Sequence, residues 1–382
     1  MRLLVLRLYY IGDVLFTGPA LSLLRRRLPG ARLDILVQSW TAPVAGRLPG
    51  VDRVLTYEPR GRHRGAAGLL RLVRELRAEG YGAVVDLHGN LKAHFLARAS
   101  GAPVRVGFST GRGGELLTHR VPYREEISIV DLLAGTAQVA AEVLTVGRAP
   151  GWQELPPEPE YAPGERRLSL RLEPGEREAA RRRLAGGLRG RGPLVLLQLG
   201  ANWPSKRWPV ERWEGLARLL LERLGARLIL SGGAAEEEMQ AELLRRLAEG
   251  EAEKDDRRGR LLPLAGRTSL LETAALAAES DLVVAPDTGV LYLASAVGTP
   301  VVGLYGPTDP ARLAPLGEGG IALATRPSCW PCWAVECPLG RNRCLGDLDE
   351  ERVFRAVAAA LRAKGASRRE APARGGEPPS GG

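Results

Sequence analysis

Four short stretches of this chain carry residue types that chemistry could use. Asp287-Thr288-Gly289 stands between an apolar run, 282–285, and a small-residue stretch closed by Gly298-Thr299-Pro300. That pattern predicts strand, turn and helix. At such a turn, free N–H groups and the helix dipole favour an anion, although the same residues could simply cap a helix. Asp13 follows Gly12 at the end of the first apolar run. It reads either as a helix N-cap or as a general base placed to take a proton from a hydroxyl. Residues 200–209, GANWPSKRWP, gather backbone N–H groups, the Ser205 hydroxyl and the cations Lys206 and Arg207. A diphosphate suits that set, whereas the bland alternative is an exposed loop whose Trp residues pack locally. The spacing is not that of a P-loop, so an ATPase is not expected. After Ser231-Gly232-Gly233, Glu236 could accept both hydroxyls of a ribose, or could serve only as an acid at a helix start.

Two further clusters are less specific. His88 and the basic loop with Arg60, Arg62 and Arg64 could bind an acceptor anion, although solvated surface is the preferred reading for any one of those arginines. Cys329, Cys332, Cys337 and Cys344 are spaced C-x2-C-x4-C-x6-C. They could give four thiolates to zinc or an iron–sulfur centre, or form two local disulfides; in a cytosolic chain the structural-metal reading is preferred.

The elements that must position these residues alternate. Apolar runs at 3–8, 31–37, 53–57 and 81–87 read as strands separated by helical stretches, one of them over 66–79, and Pro19 either kinks the helix it falls in or starts its main part after Thr17. The alternation resumes with strands at 194–199, 228–231 and 261–265, the helices between them, a charged loop near 254–260 and the stretch from 281 to 310. Nearly continuous apolar strands between helices mean parallel sheets covered on both faces. The fold class is therefore α/β, with two doubly wound halves. Prolines recur from Pro150 to Pro174, where we expect the domain boundary: 1–165, then 166–346 with the Cys cluster, a last helix over 347–364 and a disordered polar tail over 365–382.

Composition narrows the partners. The 382 residues carry a net charge of +10, unevenly spread: 20 Lys and Arg face 8 Asp and Glu in residues 1–124, and 34 face 36 in the rest. The first half should meet an anion, whether phosphorylated substrate, acidic membrane surface or nucleic acid. No uninterrupted apolar run approaches the roughly 18 residues of a membrane span, and the N-terminus, broken by Arg7, reads as a strand rather than a signal peptide.

With these segments in order, the chain resembles glycosyltransferase family 9, the heptosyltransferases of lipopolysaccharide inner-core synthesis. The resemblance rests on Ile11-Gly12-Asp13-Val14 with Pro19-Ala20-Leu21, Asp86-Leu87-His88-Gly89-Asn90, the Ser-Lys-Arg-Trp-Pro core of residues 205–209, Leu264-Ala265-Gly266-Arg267-Thr268-Ser269-Leu270, and Asp287-Thr288-Gly289 through Gly306-Pro307-Thr308. It implies a GT-B fold of two Rossmann-like domains facing a central cleft, the N-terminal one for the acceptor. It also implies an inverting, metal-independent transfer from an ADP- or other nucleotide-sugar, without a catalytic cofactor, to a glycan or lipid acceptor at the cytoplasmic face of the membrane. Asp13 would be the base. Ser205, Lys206, Glu236, Thr268, Asp287, Thr288 and Gly289 would hold the donor. Where the family commonly has His, this chain has Tyr292, which can donate a hydrogen bond to phosphate but carries no positive charge near neutral pH. The other readings are a nucleotide-sugar epimerase or hydrolase on the same scaffold and a basic nucleic-acid-binding protein; no nucleic-acid module is evident.

Overall fold

The computed structural model describes residues 1–156, 158–249, 259–314 and 317–370. The first half runs β1 (Arg2–Leu6), α1 (Ile11–Leu15), α2 (Gly18–Arg27), β2 (Arg32–Gln38), α3 (Ala42–Ala45), β3 (Arg53–Tyr57), α4 (Gly65–Ala78), β4 (Ala83–Asp86), α5 (Leu91–Ala99), β5 (Val104–Phe108), β6 (His119–Val121), α6 (Ile129–Val146) and β7 (Gly151–Trp152). The second half runs α7 (Pro174–Gly187), β8 (Leu194–Gln198), α8 (Val210–Leu224), β9 (Arg227–Ser231), α9 (Glu237–Ala248), β10 (Leu261–Pro263), α10 (Leu270–Glu279), β11 (Leu282–Pro286), α11 (Gly289–Ala296), β12 (Val301–Leu304), α12 (Pro310–Leu313), β13 (Ile321–Leu323), α13 (Arg343–Gly346) and α14 (Glu350–Glu370). Lys254 and most of the expected charged loop around it lie outside the described residues.

Both sheets are parallel, ordered β3-β2-β1-β4-β5-β6-β7 and β10-β9-β8-β11-β12-β13. The α/β expectation is borne out. Strands β1, β4, β8 and β11 are apolar on both faces because helices cover both faces, so hydrophobicity rather than alternation marks them. Each order reverses direction once, between β1 and β4 and between β8 and β11. Such switch points leave a crevice at the strands' carboxyl ends, where ligands of open α/β sheets bind.

Three apolar clusters hold the molecule. Two cover the outer faces, with α4 and α5 on the first sheet and α8 and α14 on the second. The third is shared: Phe16 of the first half packs with Tyr292 of the second, and Leu168 and Leu170 of the connecting segment join the same cluster. Helix α2 starts beyond Thr17 with Pro19 in its first turn, where a missing N–H costs nothing. Helix α6 is apolar enough along its 18 residues to match a membrane span, yet 67% of it is buried, as the central helix of the first half. Helix α14 continues to Glu370, so residues 365–370 belong to it rather than to the expected tail; the rest of that tail lies outside the described residues.

Candidate functional site

A cleft of about 510 Å³ lies where the two switch points face each other, lined from one side by Arg7, Asp13 and His88 and from the other by Gln198, Lys206, Glu236 and Thr288.

On the first wall, β1 ends and Tyr10 leads into α1, setting Asp13 in its first turn. Arg7, only 2% exposed, donates from Nη2 to Asp13 Oδ1 at 2.9 Å, from Nε to the Asp13 carbonyl at 3.1 Å and from Nη1 to the Leu87 carbonyl. Asp13 keeps 30% of its side chain open to the cleft. Burial at the cleft floor pushes its carboxyl above the ordinary range, and this outweighs the opposing pull of Arg7, the Tyr10 backbone and Lys206. A carboxylate raised in this way is a better base.

His88 packs its ring 3.8 Å from that of Tyr9 and is 5% exposed. Burial, reinforced by Arg7 and Lys92, lowers its pKa to about 3, so the ring is neutral. A neutral His88 can meet an anion only by hydrogen bonding, not by charge. With the Asn90 amide donating to Nε2 at 2.8 Å, the proton resides on Nδ1, which is buried without a protein partner. Arg60, Arg62 and Arg64 do not reach the cleft wall. They are exposed on the β3–α4 loop, and Arg62 pairs with Glu75 at 2.6 Å.

On the second wall the buried partner is Asp287, 4% exposed. Its Oδ2 accepts from Lys206 Nζ at 2.6 Å and Thr308 Oγ1 at 2.7 Å, and its Oδ1 accepts from the Tyr292 hydroxyl at 2.5 Å. Asp287 therefore positions its neighbours. Lys206 lies 4.4 Å over the Trp203 ring with its charge toward the cleft. Thr288 is the N-cap of α11 and uses no side-chain cap; its hydroxyl is buried without a partner, next to the open end of that helix. Glu236 gives one carboxylate oxygen to the Gly233 N–H at 2.8 Å and packs on Gly200, where a Cβ would meet Glu236 Cγ at 2.1 Å.

Three expected donor contacts are redrawn. Tyr292 spends its hydroxyl on Asp287 rather than on a phosphate; it is 3% exposed, and burial, then Asp287, hold the phenol well above its ordinary value. Its ring instead wedges the walls together, 4.5 Å from Phe16 and so close to Gly12 that a Cβ there would sit 2.8 Å from Tyr292 Cδ2. Ser205 is buried and donates to the Ala334 carbonyl at 2.6 Å, anchoring the Cys-bearing loop. Thr268 accepts from Thr273 Oγ1 at 3.0 Å and is not part of the cleft wall, which takes Leu270 from this segment.

The metal reading of Cys329, Cys332, Cys337 and Cys344 is also corrected. All four are free, and among the described residues no three His, Cys, Asp or Glu side chains are grouped to hold an ion. What the loop contributes is Trp333, a cleft-wall residue.

Sequence reasoning missed Arg7, Gln198 and Arg312. Gln198 Oε1 is a buried acceptor without a partner in the wall. Arg312 reaches from α12 to the carbonyls of Arg124 and Ile127, at 3.1 and 3.0 Å, and to the Tyr123 hydroxyl at 2.6 Å, strapping the halves together. Only Arg7 left a signal, a cation at the end of a buried strand.

Comparison with known proteins agrees with this geometry. The sequence profile described as Glycosyltransferase family 9 (heptosyltransferase) matches residues 69–342. The chain is 29% identical over 364 residues to lipopolysaccharide heptosyltransferase 1 of Pseudomonas aeruginosa, covering 92% of each. Two solved structures share the fold: the ADP-heptose LPS heptosyltransferase II of Escherichia coli (TM-score 0.75, 23% identity, 96% of this chain and 100% of that one) and a family 9 glycosyl transferase of Veillonella parvula (TM-score 0.77, 24% identity, 95% and 97%). The architecture is GT-B.

Proposed function

The chain belongs to glycosyltransferase family 9, and from that premise we propose that it transfers a heptose or closely related sugar from an ADP-type nucleotide sugar to a lipid-linked glycan of the lipopolysaccharide-core kind. The first domain, 1–165, takes the acceptor and the second, 166–346, the donor. One observation carries the reading: a raised carboxylate, Asp13, faces a held cation, Lys206, and an open helix end across one cleft.

In the proposed reaction Asp13 takes the proton of the acceptor hydroxyl as its oxygen attacks the anomeric carbon from the face opposite the diphosphate. The bond from that carbon to the diphosphate oxygen breaks, the electron pair leaves with the diphosphate, and the anomeric configuration inverts. Lys206, the Thr288 hydroxyl and the N–H groups opening α11 meet the developing charge; this supports a transfer that needs no divalent cation. Glu236 is the ribose acceptor. His88 Nδ1–H serves the acceptor glycan, and catalysis takes place at the cytoplasmic face of the membrane.

The test is transfer from ADP-heptose to a delipidated core acceptor, with the anomeric configuration of the product read by NMR. Asp13→Asn should lower kcat about 10²–10⁴-fold with little change in donor affinity. Full activity in that variant would remove Asp13 from its role. Retained configuration, or dependence on a divalent cation, would overturn the mechanism.

A further inference from the structure

The face of the first domain next to the cleft carries an unusual combination of side chains. Helices α4 and α5 lie side by side over one face of the sheet, sharing an apolar cluster and joined by Arg77 Nε donating to the Ala99 carbonyl at 2.7 Å. Their outward stripes follow the same spacing, i, i+1, i+4, i+7. On α4 the stripe is Leu70, Arg71, Arg74 and Arg77; on α5 it is Leu91, Lys92, Phe95 and Arg98, and all eight are exposed. Leu70 and Leu91 are each 55% exposed and Phe95 42%. Among the described residues, Arg71, Arg74, Lys92 and Arg98 have no acidic partner, while the nearby Glu75 and Glu79 are already paired with arginines.

We infer that this α4–α5 face rests on an anionic lipid bilayer, with Leu70, Leu91 and Phe95 entering the headgroup layer and the cations between them binding lipid phosphates. The inference builds on the proposed lipid-linked acceptor and names the surface that delivers it. Single exposed apolar side chains are ordinary, and what sets this face apart is three large ones on adjoining stripes among cations without acidic partners. Here they are interleaved with cations rather than contiguous, which suits an interface of apolar and anionic layers and not the charge-depleted core of a protein–protein contact. Long Lys and Arg side chains can lie along the apolar layer and still reach the phosphates. Position agrees: α5 begins directly after the His88–Asn90 turn of the cleft wall, and α4 directly after the β3–α4 loop. An acceptor anchored in the bilayer would thus present its glycan at the cleft mouth.

The experiment is co-sedimentation of the full chain with sucrose-loaded vesicles of phosphatidylglycerol and phosphatidylcholine, against phosphatidylcholine alone, over a salt series. We expect binding to the anionic vesicles that weakens with salt, and little to the neutral ones. Each cation is worth about fivefold in partitioning, so Lys92→Glu/Phe95→Ser/Arg98→Glu should lose about thirtyfold or more. Phe95→Ser alone should weaken binding several-fold without altering the salt slope. The variants should keep the wild-type Tm and turnover on a delipidated acceptor. The inference falls if wild type ignores anionic vesicles, if the triple variant binds as well as wild type, or if a mixed-sequence duplex is bound more tightly than vesicles at physiological salt. Turnover on the soluble acceptor without vesicles separates the two readings: its absence counts against the proposed reaction alone, and its presence without vesicle binding counts against the membrane face alone.

Discussion

On the β1/β4 side of the cleft a buried cation, Arg7, holds an anion, Asp13; on the β8/β11 side a buried anion, Asp287, holds a cation, Lys206. The sheet order at the two switch points is the same, so topology explains where both pairs stand but not their opposite sign. The sign follows from what each wall must meet. A hydroxyl nucleophile needs a proton acceptor and a departing diphosphate needs positive charge. In each pair the buried member is the more shielded one and fixes the geometry of the member that faces substrate.

Removing the buried members tests that symmetry. Arg7→Met should cost about 3 kcal/mol, the lower end for breaking a buried pair, because Asp13 still reaches cleft water. Since Arg7 favours the ionised carboxylate, the variant should also raise the Asp13 pKa further. The acid limb of the pH–rate profile, where activity is lost as pH falls through that pKa, would then move to higher pH. Chemical denaturation and kcat/KM against pH check both parts; an unmoved acid limb would mean that Arg7 only props the strand.

Asp287→Asn should leave Lys206 unanchored and weaken donor binding about tenfold to a hundredfold, read as donor Kd by calorimetry, with a smaller effect on the pH profile. If instead the acid limb moves as much as in the Arg7 variant, the walls are one coupled network rather than two pairs. His88 gives a pH signature of the first wall alone. Its folded pKa of about 3 lies below the unfolded value near 6.5, so the unfolded chain binds the extra proton. Stability should fall as pH drops from about 6.5 toward 3, by on the order of 2–4 kcal/mol, and His88→Gln should flatten that slope in acid-dependent urea melts. The smallest expected effect comes from the seam itself. Gly12→Ala should cost about 1–3 kcal/mol by pushing Tyr292 away from Phe16, and a shift of Tm without a change in m-value would fit.

Much of this was legible before the structure. The strand ends, the Gly-rich turns and the residues at the helix starts are local features, written in hydrophobic runs and turn chemistry. Asp13, Lys206, Glu236 and Thr288 could therefore be placed at the mouths of strands from the chain alone. Helix α6 was passed over in the sequence although its polar residues Asp131, Gln138, Glu142 and Thr145 fall on one narrow helical stripe, because the other faces are almost wholly apolar.

The amino-acid order by itself determined the α/β alternation, the positions of the working side chains along it and the excess of positive charge in the first half, since each depends on neighbours within a few residues. Only the tertiary structure decided who holds whom. Lys206 and Asp287 are 81 residues apart, and Ser205 turns toward Ala334, 129 residues on. It likewise decided that His88 is neutral and that Tyr292 wedges the walls instead of donating to phosphate. Those properties come from burial and from partners brought in by distant strands, and local spacing carries no record of either.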